Sequence, residues 1–267
     1  MTAKDDELVT FEAEGALPLP APDEQGFVEN EGARIWYASY GGGPAVILLH
    51  GGLGNSGNWG YQVPDLVEAG HRVVVIDSRG HGRSTRDARP YSYHLMASDV
   101  QAVMDHAGIG EAALVGWSDG ACTSLVLADQ QPERVCGVFF FACNMDPSGT
   151  REFKATPVID RCFSRHRKDY QALSATPDQF EAFVTDVSKM MATEPNYTAE
   201  QLAGIKVPVT IALGEHDEFI LPDHADYLAR TIPEAEFVSL PGVSHFAPLQ
   251  QPDLFNRAVR AFLKRIE

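Results

Sequence analysis

Short unbroken apolar runs alternate with helix-periodic stretches along most of the chain, and this alternation is the feature that most restricts the fold. Ala45–His50, Arg72–Asp77, Ala112–Gly116, Val135–Phe141, Val207–Gly214 and Glu236–Leu240 are each too short for a typical helix and show no polar alternation. Such runs are the mark of strands buried on both faces. Between them Met96, Val100, Val103 and Met104 recur at helix spacing, with Gly108 as a stop. A last helix starts near Pro252 and turns Leu254, Phe255, Val259, Phe262 and Leu263 inward. Ahead of this pattern, Gly26–Asn30 and Ala33–Tyr40 flank a Glu31-Gly32 turn and predict an antiparallel hairpin. Strand–helix alternation implies an α/β fold, with a mostly parallel sheet flanked by helices. In such sheets ligands sit beyond the carboxyl ends of the strands.

Asn144 to Ala199 breaks the alternation, having no strand-like run. One helix is expected from Thr156-Pro157. A second is expected from Thr176, with Pro177 at its first position, Gln179 completing a capping box, and a stripe of Phe180, Phe183, Val184, Val187 and Met191. Residues 144–199 are therefore expected as a helical cap, or lid, over the strand ends. Residues 26–143 and 200–267 form the core. Residues 1–25 are acidic and carry Pro18, Pro20 and Pro22, which predicts a loosely laid-down arm.

Charge narrows the partners. Acidic residues number 37 against 21 basic ones, a formal net charge of −16. Non-specific nucleic-acid binding needs clustered cations, and so does docking on an anionic membrane. Neither partner is expected, and a small-molecule substrate is. The longest apolar run, Val135 to Cys143, is far short of the roughly 20 residues of a membrane span. Cys122, Cys136, Cys143 and Cys162 lack metal-ligand spacing, and residues 1–22 lack the basic start and apolar stretch of a secretory signal. Reduced thiols, a cytoplasmic location and no bound metal are expected. A monomer and a homodimer are both compatible with the sequence.

Chemistry concentrates at Gly116-Trp117-Ser118-Asp119-Gly120, between a predicted strand and a helical run. Glycines two before and two after a serine allow a tight strand-to-helix turn that lifts the hydroxyl above the sheet edge. The bland alternative is a serine that caps the helix. A hydroxyl nucleophile needs a base, and the base needs an orienting acid. Asp217 follows one later strand and His245 follows the last, so the chain order is Ser118, Asp217, His245. Asp146 and Glu215 are alternative acids. Oxyanion donors are assigned to the amides of Asp119 and Gly52, the latter in His50-Gly51-Gly52-Leu53-Gly54, with the Leu53 amide as the neighbouring alternative. Asp119 cannot be the nucleophile, because Trp117 and Ala121 would then occupy the two glycine positions.

These residues, with Asp77–Ser84, Gly214-x-x-Asp217 and Gly242-x-x-His245, resemble the α/β-hydrolase fold family over residues 26–267. The resemblance implies an eight-stranded sheet with an antiparallel second strand, a helical cap after the sixth strand, and a serine triad needing no cofactor. It leaves the substrate open among esters, lactones, carbon–carbon bonds and the cofactor-free haloperoxidase (perhydrolase) reaction. Some members of this fold are non-catalytic ligand receptors, and the complete set of three residues argues against that class. Ring-cleavage carbon–carbon hydrolases often carry Gly-Asn-Ser-Met-Gly at the elbow, from which this chain departs. The leading expectation is a serine hydrolase of a small carboxylic ester or lactone.

Asp119 has two readings. An acid in the first turn of a helix gains about 0.3–1 kcal/mol from the dipole. Alternatively, a carboxylate beside the attack site holds a substrate cation, and its elbow is similar to those of members that cleave amino-acid esters. Leu53, Trp117, Met145, Phe219 and Phe246 flank the motifs and are expected to line an apolar pocket. Trp36 and Trp59 are expected in the core. Arg165-His166-Arg167-Lys168 is expected as a solvated helix face, and Arg79 and His81 as locks of their own loop.

Overall fold

The computed structural model describes residues 6–267. One sheet holds β1 (Glu24–Asn30), β2 (Ala33–Tyr40), β3 (Ala45–Leu49), β4 (Arg72–Ile76), β5 (Ala112–Trp117), β6 (Val135–Phe141), β7 (Val209–Gly214) and β8 (Ala235–Leu240). Their spatial order is β1-β2-β4-β3-β5-β6-β7-β8. β2 runs antiparallel to β1 and β4, and every other pairing is parallel. The predicted hairpin and the antiparallel second strand are both present.

The helices are α1 (Asp6–Glu14), α2 (Gln62–Glu68), α3 (Tyr93–His106), α4 (Asp119–Gln130), α5 (Pro157–Leu173), α6 (Phe180–Thr193), α7 (Ala199–Ala203), α8 (Pro222–Thr231), α9 (Ala247–Gln250) and α10 (Pro252–Ile266). β5 is buried along its whole length. β6 shows why its run of phenylalanines fits. Phe139 and Phe141 stand on one face and meet Phe255 of α10, while Phe140 must point to the other face. Trp36 and Trp59 are buried in the core. Arg79 bridges Asp99 at 2.6 Å and the carbonyl of Asn30 at 3.1 Å, tying its loop to α3 and the hairpin.

Three expectations change. Residues 6–14, read as part of a loose arm, are helical, and residues 1–5 lie outside the described residues. Leu8 and Phe11 are buried, and the Phe11 ring meets His166 of α5 edge-on at 6.0 Å. Lys168 and Arg165 donate to the carbonyls of Glu12 and Ala13. Part of the basic run is therefore not a solvated face, because the acidic arm docks on it and His166 turns inward. The capping box at Thr176 does not form. Pro177–Gln179 is a 3-10 turn and the α-helix starts at Phe180, while the Thr176 hydroxyl pairs with Tyr170 at 3.0 Å. α5 begins at Pro157 as expected, and the Thr156 hydroxyl caps it by accepting from the Ile159 amide.

Candidate active site

β5 ends at Trp117, α4 starts at Asp119, and Ser118 between them has φ +53° and ψ −123°. A side chain in that backbone region is strained, and the surroundings must hold it there. The Ser118 amide donates to the Phe141 carbonyl at 2.8 Å. A Cβ on Gly116 would stand 2.4 Å from the Ala121 Cα, and one on Gly120 only 2.0 Å from the Leu49 carbonyl oxygen. Both glycines are therefore steric requirements of the turn. The Ser118 side chain makes no capping hydrogen bond to α4, so the bland reading of this serine fails.

Asp217 and His245, 28 residues apart, meet with 2.9 Å between the carboxylate Oδ2 and Nδ1. The other oxygen of Asp217 accepts the amides of Phe219 and Ile220, each at 2.8 Å. Because Asp217 accepts at Nδ1, that nitrogen carries the proton and Nε2 keeps its lone pair. Burial disfavours charge on His245, but Asp217, Glu218 and Asp119 together outweigh it and raise its pKa above 6.5. Glu218 holds the His245 backbone amide at 3.0 Å. The alternative acids are engaged elsewhere: Glu215 accepts the Gly242 amide, and Asp146 caps the turn at Pro147.

The loop after β3 passes over the elbow. The Ser78 amide donates to His50 Nε2 at 3.0 Å, so Nδ1 is the protonated nitrogen and donates to the Gly51 carbonyl at 2.8 Å. A Cβ on Gly51 would lie 3.2 Å from the Ser118 Cβ, which measures how closely this backbone approaches the serine. The amides of Gly52 and Asp119 have no acceptor among the described residues. Leu53 has φ +63° and is buried.

Ser118, His245, Gly52 and Asp119 line one cavity of about 220 Å³. Leu53, Trp117, Phe219 and Phe246 line it too. Met145 does not. It is wholly buried, with its amide on His224 Nε2 and its carbonyl on Tyr197, so its backbone serves as an anchor. Helices α5 and α6 supply Phe163, His166, Val184, Val187 and Met191 to the wall.

Asp119 is the unusual member of this wall. Tyr93 donates to its Oδ1 at 2.7 Å, and its Oδ2 is buried without a partner. Burial pushes its carboxyl pKa up to about 6, against the opposing pull of Tyr93 and His245. A Cβ on Gly52 would strike that Oδ2 at 2.6 Å and the Met191 Cε at 2.4 Å, so both press against this loop. Near Tyr93 lie the buried, free thiols of Cys122 and Cys143.

Tyr93, Glu218 and Met191 were not picked out of the sequence as site residues. Glu218 is next to Asp217, and position alone could have nominated it. His166 falls on the stripe Ile159, Cys162, His166, Tyr170, whose helix spacing was a readable sign that it faces inward. Tyr93 carries no such sign, because it reaches Asp119 only through the packing of α3 on α4.

The sheet order and the elbow define a class. The family model for the alpha/beta hydrolase fold matches residues 44–189, and the chain belongs to that family. A protein of Azorhizobium caulinodans whose name assigns it to carbamate hydrolysis is 27% identical over 257 residues, covering 88% of this chain and 97% of its own. A 2-hydroxy-6-oxononadienedioate/2-hydroxy-6-oxononatrienedioate hydrolase of Comamonas testosteroni is 26% identical, covering 86% and 91%. Among solved structures, Est816, described as an N-acyl homoserine lactone degrading enzyme, superposes with TM-score 0.69 at 28% identity. That match covers 89% of this chain and all of Est816. The chain is thus a hydrolase-family protein. Among its described residues, no helix is long and apolar enough to cross a membrane.

Proposed function

We propose that the chain is a serine hydrolase of small carboxylic esters or lactones that works through an acyl-enzyme. The observation that carries this reading is the Asp217–His245 pair at 2.9 Å, lining the same cavity as a serine on a strained elbow. In this mechanism His245 Nε2 takes the Ser118 proton as the hydroxyl attacks the carbonyl carbon. The Gly52 and Asp119 amides receive the developing oxyanion. His245 then protonates the leaving alcohol. Water, deprotonated by the same imidazole, releases the acid and restores Ser118. Asp217 keeps the ring in the required tautomer. Residues 144–199 act as the lid that shapes the pocket. The lactone-degrading relative supports this choice of bond.

Asp119 extends the reading to the substrate. Its unpartnered Oδ2 suits an ammonium group on the acyl part, within reach of the attacked carbonyl. A fluorophosphonate probe should label the wild type and leave Ser118→Ala unmarked. Labelling that persists in the variant would move the nucleophile elsewhere. A second reading, carbon–carbon bond hydrolysis, draws on the Comamonas relative. Turnover of a vinylogous diketone in preference to aryl esters and lactones would favour it.

A further inference from the structure

We propose that Arg151 forms an anion subsite at the mouth of the cavity, selecting esters whose alcohol part carries a carboxylate. The proposal rests on the serine-hydrolase reading for its substrate but not for its binding chemistry. Arg151 lines the cavity, and its guanidinium is held rather than free to wander. Its Nε donates to the Ile220 carbonyl at 3.0 Å, and its amide to the Phe219 carbonyl at 2.7 Å. Thr150 and Ile220 form an antiparallel bridge beside it.

This pinning decides which part of a substrate meets the cation. Residues 219 and 220 are the ones whose amides hold the Asp217 carboxylate, and the Phe219 ring lies 4.6 Å from the His245 ring. Arg151 therefore stands on the His245 side. The alcohol that departs must lie there, because His245 delivers its proton. Phe153 stacks on Phe219 at 6.4 Å and is 60% exposed, giving that group an apolar surface at the entrance.

Charge balance points the same way. The chain is strongly acidic, at −16, and its long-range field opposes an approaching anion. Arg151 nevertheless has no ion-pair partner among the described residues, so both terminal nitrogens remain open to a ligand. The planar fork of those donors matches a carboxylate. Asp119, on the same cavity wall, is buried and faces Gly52. The cavity thus pairs a buried carboxylate with an exposed guanidinium.

The test compares the acetate esters of 4-hydroxybenzoate and 4-hydroxybenzamide, which differ in charge and little in size. Arg151→Gln should lower kcat/KM for the carboxylate ester by up to about fivefold, mainly through KM, as expected for a solvent-exposed ion pair. It should leave the amide ester within about twofold, and Arg151→Lys should restore part of the difference. Raising the salt to 0.5 M should shrink the wild-type preference toward that of Arg151→Gln. An equal change for both esters overturns the proposal while leaving the hydrolase reading intact. Calorimetric titration with benzoate and benzamide reads the same preference without turnover. Benzoate binding no tighter than benzamide, or equally tight in Arg151→Gln, overturns the proposal even where neither ester is hydrolysed.

Discussion

Replacing Asp119 by Asn tests the cation reading with little steric change, since Tyr93 can still donate to the remaining oxygen. A hydrogen bond from an ammonium to a buried carboxylate is worth about 1.5–3 kcal/mol, or roughly 10- to 150-fold in affinity. The assay is kcat/KM for the benzyl esters of alanine and of propanoate, which differ only by the amino group. Dividing the variant's effect on one ester by its effect on the other removes intrinsic reactivity. The quotient should fall in that range at pH 7.5, with the loss confined to the alanine ester. The wild-type preference should also fade as pH drops through about 6, where the Asp119 carboxyl takes up its proton. The variant should show no such fade. A quotient near one at pH 7.5 refutes the cation-holding role.

Asp217→Asn should lower kcat by about 10³- to 10⁴-fold, because the amide NH₂ would face His245 Nδ1 and impose the wrong tautomer. Stopped assays with an activated aryl ester check this. Gly120→Ala should destabilise the fold by about 3 kcal/mol or more in urea titrations, since the added carbon meets backbone rather than a movable side chain. His81 and His166 are buried with pKa lowered to about 3, by loss of hydration first and nearby His50 second. The unfolded chain binds these protons near 6.5, so stability is full above that pH and is lost as pH falls toward 3. Each histidine contributes a slope of about 1.4 kcal/mol per pH unit. His166→Phe should flatten the pH dependence of urea unfolding between pH 4.5 and 6 by that amount. An unchanged slope would show that His166 is hydrated.

What could be read in advance divides along a physical line. The order of strands and helices was legible because burial on both faces writes itself as unbroken apolar runs, as in Val135–Phe141. The elbow was legible because Gly116 and Gly120 answer to local sterics within five residues. Asp217 and His245 could be nominated because strand ends converge at one edge of a parallel sheet. Met145 was misjudged by the same rule: adjacency to a strand end puts a residue near the site but does not say which way it points. The Met191 stripe was legible, but its reach to Gly52, like the place of Tyr93 against Asp119, depends on helix packing. The docking of α1 on α5 escaped because an acidic, proline-flanked segment shows its helix only against a basic partner surface.

Asp119 is the residue at which stability and chemistry disagree, and that disagreement is itself informative. The folded chain holds this proton up to about pH 6, whereas the unfolded chain releases it near 3.8. Between those values the native state binds more protons, so stability falls as pH rises. Above 6 the full cost of roughly 3 kcal/mol is present. Asparagine would escape that cost and should raise the urea midpoint at pH 8, with a gain that vanishes below pH 4. A carboxylate whose burial costs stability at neutral pH, with one oxygen left unpartnered in the wall it shares with Ser118, favours the proposed cation over the helix dipole as its reason. The dipole gain of about 0.3–1 kcal/mol is too small to offset the burial. If Asp119→Asn proves no more stable than the wild type at pH 8, the carboxylate is better solvated than its burial implies, and the case for a cation beside Ser118 loses its energetic basis.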